Sequence, residues 1–130
     1  MSELVTFEKF NKGRLVVPYY RKEFEEIPWS KHPTYEGVEL KHIVTSNDTA
    51  GQFSYHIIRI APNKSIRNHV HEKQLETHEV IGGTGVCINN GVSIQYEEGM
   101  ISIMPAGIAH EVNAGDAGLY MFAKFIPALC

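Results

Sequence analysis

A chain of 130 residues, 43% of them hydrophobic, has material for one hydrophobic core and not for two. The formal charge of −3, with acidic and basic residues interspersed along the whole length, excludes a basic nucleic-acid footprint and an acidic disordered tail. Two cysteines, Cys87 and Cys130, make no disulfide framework, so a reduced, cytoplasmic setting is expected, with Cys87 as a small core residue.

The first residues, Met1 to Val17, carry Glu3, Glu8, Lys9, Lys12 and Arg14 among their apolar side chains and hold no secretory segment. Arg21 to Trp29 places charges without strict period two, and Pro18, Pro28 and Pro33 stand against any long helix. The expectation for residues 1–36 is an arm. Its aromatic side chains Tyr19, Tyr20, Phe24 and Trp29 require a cover, either their own barrel or a second subunit.

From about residue 38 the pattern is β. Val38 to Val44 alternates as a half-buried strand, residues 46–51 form a turn cluster, and Phe53 to Ile60 is β-branched and aromatic until Ala61-Pro62-Asn63 ends it. Asn90-Gly91, flanked by Val86-Cys87-Ile88 and Val92-Ser93-Ile94, predicts a hairpin, because a type I′ turn requires positive φ at both central positions. Met100 to Met104 and Gly118 to Phe125 supply two further strands. The closing apolar stretch is broken by Lys124 and Pro127, far short of the ~20 residues of a membrane helix. Short strands between Gly and Pro turns predict an all-β, single-domain jelly-roll β-barrel over residues 37–130, since closing a sheet removes its exposed edges.

The chemistry is concentrated in residues 69–110. In a strand, side chains two apart share a face, so His69 and His71 can reach one cation. Glu76 and His110 complete a candidate set of three imidazoles and one carboxylate, which suits one divalent transition metal per chain: zinc, iron, manganese, nickel or copper. His78 lies on the face of Glu76 and could replace it as a ligand or stand beside it as a proton-transfer group. Glu72 and Glu79 read as solvated charges. Tyr55, Tyr120 and Lys124 are further acid/base candidates whose inward or outward phase is open.

Asn63, His69, His71, Glu76 and Gly83, followed by Gly99, Pro105, Gly107 and His110, resemble the two signature motifs of the cupin superfamily of small β-barrel metalloproteins. Asn63 replaces the leading glycine of the first motif, and Asn tolerates the left-handed backbone that the turn needs. Asn113 falls one position before the asparagine of the second motif. The resemblance covers about residues 52–125 and implies the metal site, with His78 outside its ligand set. Small cupins often pair through N-terminal strands, so it also implies a homodimer. The superfamily includes isomerases, decarboxylases, lyases and dioxygenases as well as non-catalytic sensing domains. The expectation is an enzyme acting on a small oxygen-rich metabolite, with a ligand-binding or sensing cupin as the alternative.

Overall fold

Proline and glycine divide the first part of the chain into short pieces. In the computed structural model, which describes residues 5–130, these are α1 (Val5–Asn11), the hairpin β1 (Arg14–Val17) and β2 (Tyr20–Glu23), a 3-10 turn at Phe24–Glu26 and β3 (Ser30–Lys31). Residues 1–4 of the expected arm lie outside the described residues. The β-rich remainder forms β4 (Val38–Val44), a single helical turn α2 (Ser46–Thr49), β5 (Ser54–Ile60), β6 (Ser65–His69), β7 (Leu75–Asn89), β8 (Val92–Glu97), β9 (Ile101–Met104) and β10 (His110–Ile126).

All the strand pairs are antiparallel, in the order β3-β4-β5-β10-β7-β8, with β6 also paired to β10 and β9 to β7. The long strands β7 and β10 pair with each other along most of their length while exchanging their other neighbours. This exchange wraps the sheet into a jelly-roll barrel and leaves few free edges. Asn90 (φ 53°) and Gly91 (φ 77°) make the expected positive-φ turn between β7 and β8. Asn63 takes φ 61°, the left-handed conformation expected of a glycine substitute.

Strand alternation gives the barrel two different faces. Inside, Val38, Ile58, Ile60, Val80, Tyr96, Met104, Leu119, Met121 and Phe125 pack as one core that includes Cys87. Outside, Ile43, Ile57 and Phe122 pack against Phe7 and Phe24, with Phe10 and Trp29 beside them. The arm therefore lies on its own barrel. Phe7 meets Tyr120 edge-on at 5.0 Å between ring centroids, and Trp29 carries Arg59 over its ring at 3.9 Å. Burying each such aromatic side chain contributes about 1.5–3 kcal/mol. Tyr19, at the tip of the β1–β2 hairpin, stays 94% exposed, so this aromatic finds no cover among the described residues.

The residues expected as a turn after β4 contain α2, where the Asp48 carboxylate accepts the Thr45 N–H at 2.8 Å. Gly118 to Phe125 proves to be the second half of a 17-residue strand. No helix among the described residues is long and apolar enough to cross a membrane.

Candidate metal centre

β6 ends at His69, whose cross-strand partner on β10 is His110, and this pairing sets their rings 4.3 Å apart between centroids. His71 lies just beyond the end of β6 and is held in place because the Gly107 N–H donates to its carbonyl at 2.9 Å. Gly107 has φ 79°, a conformation that glycine adopts without a steric penalty. Glu76 enters from β7 and is 4% exposed. The ligand atoms of His69, His71, Glu76 and His110 lie within 4.8 Å of one another.

The orientation of the rings is fixed from behind. His69 Nδ1 sits 2.7 Å from the Arg67 carbonyl and His110 Nδ1 sits 3.2 Å from the Ile108 carbonyl, each as donor, which turns both Nε2 atoms into the cluster. His110 Nε2 stands 3.0 Å and His71 Nε2 3.5 Å from Glu76 Oε1. Burial pushes His69 and His71 toward the neutral form, which is the ligating form. Burial also works to raise Glu76, but the adjacent His78 and His110 outweigh it and hold the carboxyl well below the usual carboxylate range. Burial works to lower His110 as well, and its hydrogen bond to Glu76 reverses this. Three convergent imidazoles and one ionised carboxylate fit a divalent transition metal and leave it a net positive charge. His69 and His71 are half-buried and open the group to solvent on one side, whereas Glu76 and His110 close the other.

His78 is 1% exposed and lies deeper in the barrel. Its Nε2 is 2.7 Å from Glu76 Oε2, and its Nδ1 is 2.9 Å from the hydroxyl of the fully buried Tyr96. Both ring nitrogens thus have protein partners, and His78 reaches the cluster through the carboxylate. Tyr55, Tyr120 and Lys124 point to the outer face instead: Tyr55 and Tyr120 pack in the aromatic cluster under the arm, and Lys124 lies above the Tyr55 ring. Glu79, expected as a solvated charge, is paired with Lys124 at 2.9 Å, while Glu72 is exposed. Asn113 bridges β6 and β10 by accepting from Ser65 Oγ at 2.6 Å.

Tyr96 was not legible as a partner of the site, because its approach to His78 depends on the fold of β8 over β7. A cavity of about 730 Å³ lies elsewhere, between the arm and the outer ends of β4 and β5, with Lys12, Lys31, His32, Tyr35 and Arg59 in its walls.

A family model described as the cupin domain matches residues 56–123. No curated protein matches the chain by sequence. Among solved structures, the fold is similar to a predicted oxalate decarboxylase from Thermotoga maritima, at TM-score 0.72 and 23% identity over 79% of this chain and 95% of that one. It is similar to ectoine synthase from P. lautus, at TM-score 0.73 and 19% identity over 88% and 80%. The polyketide cyclase RemF from Streptomyces resistomycificus gives TM-score 0.70 and 19% identity over 83% and 78%. Likeness at these identities establishes the fold and leaves the reaction open.

Proposed function

The chain belongs to the cupin family, and from that premise we propose that it is an enzyme acting on a small oxygen-rich metabolite, a sugar or an organic acid. His69, His71, Glu76 and His110 would hold one divalent transition metal, and the observation that carries this reading is the convergence of their ligand atoms within 4.8 Å. Such a metal supplies Lewis-acid chemistry, or dioxygen chemistry if it is iron. The chain's own residues do the rest. His69 and His71 line the open side where an anionic metabolite enters, and the interior core behind Glu76 excludes water. His78 holds a proton between Glu76 and Tyr96 and acts on the site through the Glu76 carboxylate. Isomerisation, lyase or decarboxylase chemistry, and dioxygenation all remain compatible with this donor set.

A second copy of the chain is the proposed partner, with residues 1–36 as arm and residues 37–130 as barrel. Val16 on β1 (62% exposed) and Ile101 and Ile103 on β9 (69% and 55%) provide apolar surface for the contact. One observation favours the alternative of a binding or sensing cupin: both nitrogens of His78 are occupied by protein groups.

The test begins with elemental analysis of gently purified protein, followed by a turnover screen over sugar acids and keto acids with oxygen uptake recorded. His78→Gln is expected to lower kcat at least tenfold while metal content stays near wild type. Lost metal would make His78 a ligand. Absence of turnover in a metal-loaded protein that still binds a metabolite would favour the sensing reading.

A further inference from the structure

A second group of ligating side chains lies where the C-terminal tail closes over β4 and β5. Three hydrogen bonds hold the tail: Ala128 N–H to the Gly51 carbonyl at 3.1 Å, Leu129 N–H to Ser54 Oγ at 2.9 Å, and Ser46 N–H to the Cys130 carbonyl at 2.7 Å. They carry Cys130 to His42 and His56, which are direct cross-strand partners on β4 and β5. The two histidine rings stand edge to face, with their Nδ1 atoms 2.7 Å apart. Ser54 Oγ, which receives the tail amide, is also 2.8 Å from His56 Nε2, so one hydroxyl orients both the imidazole and the tail. The ligand atoms of His42, His56 and Cys130 lie within 4.8 Å of one another.

We propose that His42, His56 and Cys130 form a second cation site, selective for a borderline or soft ion of the zinc type. A thiolate with two imidazoles prefers zinc or copper(I) to magnesium, calcium or manganese, whereas the carboxylate-containing cluster accepts a broader range. The two groups are separate. The Phe125 ring stands between them, 5.5 Å from the His56 ring and 4.9 Å from the His71 ring. His56 is fully buried, His42 half-buried and Cys130 exposed, so the group has a rigid floor and a solvent-facing position for a fourth ligand.

The 2.7 Å separation of the Nδ1 atoms is that of a hydrogen bond. Two nitrogens on one tetrahedral zinc, each at 2.0–2.1 Å, stand roughly 3.3 Å apart, so a bound cation spreads the rings by about half an ångström. In doing so it displaces the Cys130 thiol proton to solvent, and the proton shared by the two imidazoles moves to the far nitrogen of its ring. Burial already favours the neutral form of both histidines and lowers His56 to about 4, so neither has to lose an extra proton near neutral pH. The bound cation would lock the tail onto β4 and β5.

Cobalt(II) titration of the reduced full chain, freed of metal beforehand, tests this directly, because sulfur ligation produces a near-ultraviolet thiolate-to-cobalt charge-transfer absorption that a His/Glu site cannot give. The band is expected in the wild type and in His71→Ala, and is expected to vanish in Cys130→Ser and in His42→Gln. Cobalt stoichiometry should fall from about two per chain to about one in Cys130→Ser. No band in the wild type under excess cobalt would overturn the proposal. So would an equal band in Cys130→Ser, which would assign it to Cys87, or loss of the band in His71→Ala, which would merge the two groups into one site.

Discussion

The inner and outer faces of β5, β7 and β10 belong to the same strands and differ by one residue of phase. Inward, β7 presents Glu76 and His78 and β5 presents Ser54 and His56, all buried among apolar neighbours. Outward, the neighbouring positions Tyr55, Ile57, Ile81, Tyr120 and Phe122 form the aromatic seat of the arm. The inner face concentrates its polar groups in a network in which Glu76 contacts His71, His78 and His110, because a buried carboxylate without partners is costly. The outer face spreads its stabilisation over many weak ring contacts. Replacing one of the four converging side chains should therefore weaken ligation sharply, and a single outward substitution should lower stability while sparing the site.

The largest effect is expected on the inner face. His71→Ala should weaken divalent-metal binding by several orders of magnitude, each tenfold step being about 1.4 kcal/mol, while Glu72→Ala binds like the wild type. Calorimetric titration measures both, and equal affinities in His71→Ala and wild type would remove His71 from the centre. On the outer face, Phe7→Ala deletes a ring that touches Trp29, Tyr120 and Phe122. It should cost about 3 kcal/mol in denaturant unfolding and leave the metal stoichiometry unchanged. Loss of metal in Phe7→Ala would break the separation of the two faces.

The parts of this arrangement that follow from local spacing were legible before folding. Period-two alternation and turn chemistry carry the β-barrel and the Asn90-Gly91 hairpin, and the order of His69, His71, Glu76 and His110 anticipates a convergent group that could hold a metal. Pairings between distant strands were not legible. His42 and His56 lie inside two of the expected strands with nothing to single them out, and nothing local states that β4 and β5 are adjacent in a register that sets one opposite the other. The phase of Tyr55, Tyr120 and Lys124 was hidden for the same reason, since half-buried aromatic and long basic side chains occur on either face of a covered sheet. The lengths of β7 and β10 were underestimated because glycines such as Gly83 and Gly118 interrupt the apolar pattern without ending the strands.

The smallest effect concerns the charged clamp that joins the arm to the barrel. Lys22 Nζ on β2 lies 2.7 Å from Asp48 Oδ2, Tyr20 donates its hydroxyl to the same carboxylate, and the Thr45 N–H donates at 2.8 Å. Burial alone would raise Asp48, but the hydrogen bonds from Lys22, Tyr20 and Thr45 outweigh it and bring the carboxyl down to about 2. The folded value thus lies below the ordinary value of 3.8, so the clamp contributes fully above that pH and its contribution is lost as pH falls toward 2. Asp48→Asn keeps the shape and removes the charge, and should cost about 1–3 kcal/mol near neutral pH. The decisive quantity is the stability difference between wild type and Asp48→Asn measured against pH, in which contributions common to both proteins cancel, including acid release of any bound metal. That difference should be constant above about pH 5 and shrink steadily as the pH is lowered through the carboxylate range. A difference that stays flat to pH 2.5, roughly the acid end of that range, would show that Asp48 holds the arm by shape alone and that arm and barrel are joined by packing without charge.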